Sequence, residues 1–481
     1  MKVGSIKENF IFNVLRLILN FSLPLIVFPY VSRVLGPIGI GKVEFANSII
    51  SYFILFSSLG IPTYGIREIA RVRDNDTERS KVVYELGILL LINSIISYII
   101  YFILIFFVPK FNSDLLLFLV ISPSIILTDL NFEFFYQGIE KQKYITIRYA
   151  IVKVFQILFI YLFVKNEKNY IIYALSLVGM NSLSTIFNLF NLRKYLVKIK
   201  WEILRPLRHF KNVLIIFSSI VAINIYTHLD VTMVGLFVGD EAVGVYSVAN
   251  KLVRMILTIV TALSPVMIPR LENSIQNKNM ANFRNYAELS LNFIIMMGIP
   301  CFIGIEFLAP EIVVLYAGKS FLSAIISVQI LAPIILIVGM ANFIGLQLLY
   351  HFRREIKYTI SVSIAACCNF IVNLCLIPVF KQNGAIIGTV VAEILGLCIQ
   401  YYYVKDIYAQ IHLSKKYLWH YFIGGGAIGV YLFLLKYFTS LNNYLILLVG
   451  ILGSFLIYGI LLIILKNPFV KIKNIFKSTE K

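Results

Sequence analysis

The sequence predicts an all-α integral membrane protein of about fourteen transmembrane helices, arranged as two six-helix lobes and a further C-terminal helix pair. Three observations predict it: an apolar excess, a regular series of long apolar runs, and an uneven spread of Lys and Arg between alternate loops. Hydrophobic residues fill 59% of the 481 positions and charged residues only 14%. A soluble domain carries about 45–50% apolar and roughly 25% charged residues. A water-soluble fold of this length could not hide the surplus, so the bilayer is the natural solvent.

A spanning helix needs about twenty apolar residues. Such runs lie near 10–33, 43–61, 83–108, 114–137, 144–164, 170–190, 212–236, 243–268, 286–308, 323–350, 357–380, 384–404, 417–436 and 443–465. The first opens at Phe10 with no small-residue cleavage site behind it, so it reads as a span and not a leader. The links are short. The longest polar ones, Arg67–Lys81 and Leu192–Lys211, leave no room for a soluble catalytic domain.

The net charge of +19 would suggest nucleic acid in a soluble protein, but here it is topological. Lys and Arg concentrate on the cytoplasmic side of membrane proteins. With fourteen spans, the termini and even-numbered loops carry 31 of them and the odd-numbered loops 8. One helix more or fewer would flip the later loops and blur the contrast. The asymmetry therefore predicts an even number of spans and both termini in the cytoplasm, and it excludes nucleic acid as a partner.

An internal repeat sets the lobes. R-V-L-G-P-I-G-I-G-K-V-E-F-A-N (Arg33–Asn47) matches L-F-V-G-D-E-A-V-G-V-Y-S-V-A-N (Leu236–Asn250) at an offset of 203 residues. Gly36 pairs with Gly239, Gly41 with Gly244, Ala46 with Ala249 and Asn47 with Asn250. The repeat contains six spans, an even number, so both copies run the same way through the membrane. Transporters built of such repeats bind substrate between their halves. The expected divisions are 1–200, 201–410 and an additional pair with a basic tail at 411–481.

Ionisable groups inside spans are costly, by about 2.5–3.5 kcal/mol on insertion scales, and tend to face a polar cavity or a partner. Arg16, Lys153, Lys251 and Arg254 are the cations, candidates for binding a diphosphate. Asp129 and Glu133, four apart and hence expected on one helical face, join Asp230 and Glu393 as candidates for a coupling ion or for ion pairing. The plain alternative is that these cations and carboxylates neutralise each other. Pro24 and Pro29 are hinge candidates in the first span; Pro265, Pro269 and Pro333 also interrupt apolar runs. The five cysteines (301, 367, 368, 375 and 398) lie in apolar runs without a C-x-x-C pair, so they read as packing. No metal-ligand cluster, nucleophile elbow or Walker loop is present, so no metal, cofactor or catalytic residue is expected.

The run L-P-L-I-V-F-P-Y-V-S-R-V-L-G-P-I-G-I-G (Leu23–Gly41) resembles the signature of the polysaccharide exporter family, the Wzx-type flippases of the MATE-like MOP superfamily. Ser58–Arg71, Phe134–Tyr144, Ile268–Leu271 and Asn383–Glu393 resemble further family segments in the expected order, so the likeness covers nearly the whole chain. The resemblance implies a MATE-like pair of six-helix lobes. It implies flipping of undecaprenyl-diphosphate-linked repeat units of O-antigen, capsule or a similar glycan across a bacterial cytoplasmic membrane. Membrane lipids and glycan polymerase machinery are the expected partners, and the carboxylates leave proton coupling, sodium coupling and no coupling all open. A MATE-type cation-coupled antiporter is the nearest alternative, but its site should be acidic and aromatic. A membrane glycan polymerase or ligase needs larger outer loops, and a non-transporting scaffold leaves the charges inside the spans without a use.

Overall fold

Helix α3 (Asp76–Phe107) shows why the bilayer must be the solvent. One face carries Leu86, Leu89, Leu90, Tyr101 and Ile105 and is buried; the other carries Ile92, Ile95, Ile96, Ile99 and Ile103, all about half exposed. A helix apolar on both faces, with only one face covered by protein, is stable where the other meets lipid. The computed structural model describes residues 6–411, 417–439 and 441–468, and among these the regular structure is helical.

Packing divides the chain into two units, Met1–Gly244 and Val245–Lys481. The first contains α1 (Ile6–Ser58), α2 (Ile61–Val72), α3, α4 (Pro109–Asn112), α5 (Leu115–Ile121), α6 (Ser124–Asp129), α7 (Glu133–Gly138), α8 (Gln142–Phe163), α9 (Tyr170–Leu192) and α10 (Phe210–Phe237). Helix α11 (Asp240–Thr261) leads into the second. There follow α12 (Ser264–Gln276), α13 (Met280–Tyr316), α14 (Ala324–Leu331), α15 (Ile334–Asn342), α16 (Glu355–Phe380), α17 (Gln382–Ile411), α18 (Leu418–Phe438) and α19 (Asn443–Ile464). Among the described residues, 12 segments are long and apolar enough to cross a membrane. One of them, Leu25–Val72, holds two arms of α1, and α10 lies outside that set; counting each gives the fourteen expected spans. The chain is a multi-pass membrane protein.

The repeat is visible in the backbone. Helix α1 departs from helical geometry at Gly36, with φ 65°, and its repeat image Gly239 has φ 124°. Glycine takes such angles without a Cβ clash. Five residues on, the two copies touch. A Cβ on Gly41 would lie 1.7 Å from the Asp240 carbonyl oxygen, and one on Gly244 would lie 2.0 Å from that of Pro37. Beside this crossing, Lys42 Nζ meets Asp114 Oδ2 at 2.5 Å, and the Tyr170 hydroxyl donates to Asp114 Oδ1 at 2.8 Å. Pro29 keeps a helical backbone, so the break in α1 sits at Gly36; the side chain of Pro24 lies outside the described residues.

The fourth and tenth spans are both discontinuous. Pro123 separates α5 from α6, and Phe132, in the left-handed region at φ 48°, separates α6 from α7. Pro333 separates α14 from α15, which runs on into a π-helical turn, Phe343–Leu349. Proline removes an intrahelical bond, which accounts for the breaks at Pro123 and Pro333.

Between α9 and α10 the chain forms a strap, 193–209, pinned to the start of α3. Arg79, 1% exposed, donates through Nη2 to the Tyr195 carbonyl at 2.8 Å, and Ser80 Oγ accepts the Val197 amide at 2.9 Å. Glu85, fully buried, accepts the Arg205 amide at 2.7 Å and pairs with Arg208 at 2.6 Å. His209 bridges Glu85 Oε2 at 2.9 Å and the Tyr64 hydroxyl at 2.7 Å. A neutral imidazole satisfies both: Nε2–H donates to the carboxylate and Nδ1 accepts from tyrosine.

In the second unit, α18 and α19 dock on α13. The Tyr421 hydroxyl donates to Asn292 Oδ1 at 3.0 Å, the Tyr458 hydroxyl to the Met296 carbonyl at 2.9 Å, and Lys436 pairs with Glu311 at 2.8 Å. All five cysteines are free thiols.

Two outcomes follow. Gly41→Ala should destabilise the purified protein by about 1–3 kcal/mol through overpacking, read as a lower thermal midpoint. Gly179→Ala, whose added methyl meets nothing within 4 Å, should leave it unchanged. Burial holds the His209 imidazole below its ordinary value, against the opposing pull of Glu85. Its contribution is therefore complete above about 6.5 and declines as pH falls below that value. A thermal midpoint followed from neutral into acid should drop less steeply in His209→Gln.

Candidate functional site

Helix α8 packs along α1, and its buried stripe reads Ile145, Arg148, Val152, Gln156, Ile160 at helical spacing. The stripe carries a guanidinium inward. Helix α7 starts at Glu133 because the left-handed Phe132 ends the preceding segment, and this turn aims the carboxylate at α8. Arg148 Nη2 donates to Glu133 Oε2 at 2.5 Å, while Arg16 Nη1 from α1 donates to Oε1 at 3.1 Å. Gln137 Nε2 donates to the same Oε1 at 3.1 Å. Arg148 also reaches Asn131 Oδ1 at 3.5 Å, and Asn131 is held in turn by Asn188.

Two guanidiniums on one carboxylate leave a surplus positive charge. Arg148 is sealed, with 3% of its side chain exposed, whereas Arg16 and Glu133 keep 26% and 31%. The open side of the triad is therefore the Arg16–Glu133 edge, where a phosphate oxygen can take the place of the carboxylate oxygen on Arg16. Arginine suits that exchange because its planar donors fit carboxylate and phosphate alike. Further along α8, Lys153 Nζ lies 5.0 Å from the centre of the Tyr149 ring and 3.5 Å from Gln156 Oε1.

The structure changes one sequence expectation. Asp129 and Glu133 do not share a helical face, because the helix breaks between them. Asp129 is buried and accepts a hydrogen bond from Ser94 Oγ at 2.6 Å, away from the arginines. Arg148, counted with the loop cations from sequence, is a buried partner of Glu133. Its place on the α8 stripe was the signal that could have found it.

The remaining candidates divide between the units. In the first, Asp230 on α10 is buried close to Tyr52. Thr232 Oγ1, two residues on, lies within hydrogen-bonding distance of Ser48 Oγ at 3.1 Å and the Tyr52 hydroxyl at 3.3 Å. The imidazole of His228 stands edge-on to the Tyr52 ring with centroids 6.1 Å apart. In the second unit, Arg254 Nε donates to Asn250 Oδ1 at 2.7 Å, one turn back on α11. Lys251 sits on the same helix and has an interaction of its own. Glu393 on α17 lies near Tyr358. Among the described residues, no group of three or more His, Cys, Asp or Glu is placed to hold a metal ion.

The polysaccharide biosynthesis protein family matches residues 6–276, and the MatE family matches 215–379. The chain is 21% identical over 405 residues to a putative O-antigen transporter of Escherichia coli strain K12, covering 84% of this chain and 97% of the relative. In structure it is similar to the lipid II flippase MurJ in an inward closed conformation, with TM-score 0.63, 15% identity and 96% and 98% of the two chains covered. It is equally similar to an inward-facing multidrug resistance MATE transporter of the MOP superfamily, with TM-score 0.63, 15% identity and 84% and 99% covered. These likenesses show a MATE-like fold.

Removing Arg148 should cost more stability than removing Arg16, because Arg148 is the sealed partner. Arg148→Met strips a charge-assisted bond of about 1.5–3 kcal/mol; Arg16→Met should cost less, since its end of the triad is open. Thermal unfolding of the two purified variants checks the order.

Proposed function

Since the chain belongs to the polysaccharide biosynthesis protein family, we propose that it flips lipid-linked oligosaccharide units across the membrane. The substrate in this reading is an undecaprenyl-diphosphate-linked repeat unit of O-antigen, capsule or a similar glycan. It passes from the cytoplasmic to the outer leaflet of a bacterial cytoplasmic membrane. The observation that carries the reading is the Arg16–Glu133–Arg148 triad, a surplus of guanidinium charge held inside apolar helices. Such a site suits a diphosphate headgroup and opposes an organic cation. The names of the relatives support the same direction: O-antigen transporter, and probable flippase in Haloferax volcanii. They name transport and not catalysis, and the chain is a transporter, not an enzyme.

Arg16, Lys153, Lys251 and Arg254 are the groups proposed to meet the diphosphate oxygens, with the sealed Arg148 holding Glu133 in place beside Arg16. Binding is followed by alternating exposure to the two sides of the membrane. The moving lobes are 1–200 and 201–410, and 411–481 rides on the second, in keeping with the docking of α18 and α19 on α13. Both termini lie in the cytoplasm, a placement supported by the 31 Lys and Arg of the termini and even loops against 8 in the odd ones. Asp129, Glu133, Asp230 and Glu393 are the carboxylates available to a coupling proton or sodium ion. Pro24 and Pro29 remain the hinge candidates, and glycan polymerase machinery the downstream partner. The MatE match sustains cation-coupled antiport of small molecules as a second reading.

Complementation tests the assignment. A deletion strain should accumulate lipid-linked repeat units on the cytoplasmic leaflet, and the wild-type chain should clear them. Arg16→Ala, Lys153→Ala, Lys251→Ala and Arg254→Ala should each lower export about tenfold or more, the loss of one charge-assisted contact, with membrane insertion unchanged. Normal export in all four variants would overturn the diphosphate site. Surface glycan persisting in the deletion strain, with no second exporter, would overturn the function.

A further inference from the structure

The strap between α9 and α10 joins two spanning helices, so it lies at the membrane surface whichever way the chain is oriented. Its pins all face the bundle. Tyr195, Val197, Arg205 and His209 are tied to Arg79, Ser80 and Glu85 of α3. What remains outward is an unusual pairing. Trp201 is 76% exposed and Leu207 77% exposed, each on a short 3-10 turn and held away from the core. From Arg193 to Lys211 the sequence has seven Lys or Arg and one acid, Glu202. Lys194, Lys198 and Lys200, all exposed, precede the tryptophan directly.

An indole and an isobutyl group left bare on a soluble surface are a liability. At a bilayer surface they are anchors, because tryptophan sits well at headgroup depth. Basic residues clustered beside such anchors attract anionic headgroups. We propose that the strap is a binding site for anionic phospholipid, with Trp201 and Leu207 set into the interface and Lys194, Lys198 and Lys200 holding the headgroup phosphates. The charge complementarity and the position next to two span ends select a lipid over a soluble protein. The buried pins give the strap a fixed shape, so the anchors and the lysines meet the surface together. This assignment stands apart from the transport reading: it requires only that α9 and α10 cross the membrane.

The chain has two tryptophans, Trp201 and Trp419. A Trp419→Phe variant therefore reports on the strap alone. The full-length variant is placed in vesicles that mix phosphatidylglycerol and phosphatidylcholine, with brominated acyl chains on one lipid or on the other. Enrichment of anionic lipid at the strap should make quenching of Trp201 by brominated phosphatidylglycerol at least twofold stronger than by brominated phosphatidylcholine at equal fractions. Changing Lys194, Lys198 and Lys200 together to Gln should remove the preference and leave quenching itself in place, and raised salt should weaken it. Equal quenching by the two lipids in the unmodified strap, or a preference indifferent to both salt and the lysines, overturns the proposal. Absence of quenching overturns the interfacial placement as well. A thermal midpoint unchanged by the three substitutions ties the readout to lipid; a midpoint that falls with them transfers the decision to the salt series on the unmodified strap.

Discussion

Everything in this molecule answers to one constraint: hydrocarbon offers no water to a charge or to an open backbone group. Glu133 shows how the chain meets it. The carboxylate is admitted to the bundle only with two arginines and a glutamine around it. The geometry of that admission then dictates the rest of the region. It needs α7 to begin at Glu133, which needs the left-handed Phe132, and it needs α8 to present Arg148 on its inner stripe. A single half-buried acid thus ties three helices, α1, α7 and α8, to one another.

The same constraint made the fold readable from sequence. Lipid-facing and protein-facing residues are both apolar, so spans stand out as runs, and short links follow without effort. The repeat was legible because Gly36, Gly41, Gly239 and Gly244 are required by backbone geometry and not by side-chain chemistry. The breaks inside the fourth and tenth spans were less legible. Pro333 was visible as an interruption, but a left-handed phenylalanine carries no signature in composition. That hidden turn is why Asp129 and Glu133 seemed to share a face and do not. Arg148 was overlooked for a related reason. Near the end of a span, a cation reads equally well as a loop charge, and only the inward stripe of α8 distinguishes the two. The packing division after Gly244 also differs from the lobes inferred from the repeat, because α10 packs on α1 and so joins the first unit.

The electrostatics of the two ends differ in kind. Inside the spans, charge is scarce and is partnered residue by residue, as in the triad and in Lys436 with Glu311. On the strap it is abundant and mostly outward, and His209 is drawn inward onto Glu85 of α3. The first arrangement gives each charge a fixed partner, and the attraction depends on low dielectric. The second makes a diffuse positive surface that salt can screen.

The crossing at Gly41 and Gly244 is reciprocal. Gly41 abuts Asp240, and Gly244 abuts Pro37; Pro37 and Asp240 are themselves separated by the repeat offset of 203. Each copy thus offers the other the same patch it receives, which is the self-complementary pattern of a twofold homodimer. A side chain gained on either glycine would therefore be felt by both copies, since each crossing point lies against the other's backbone.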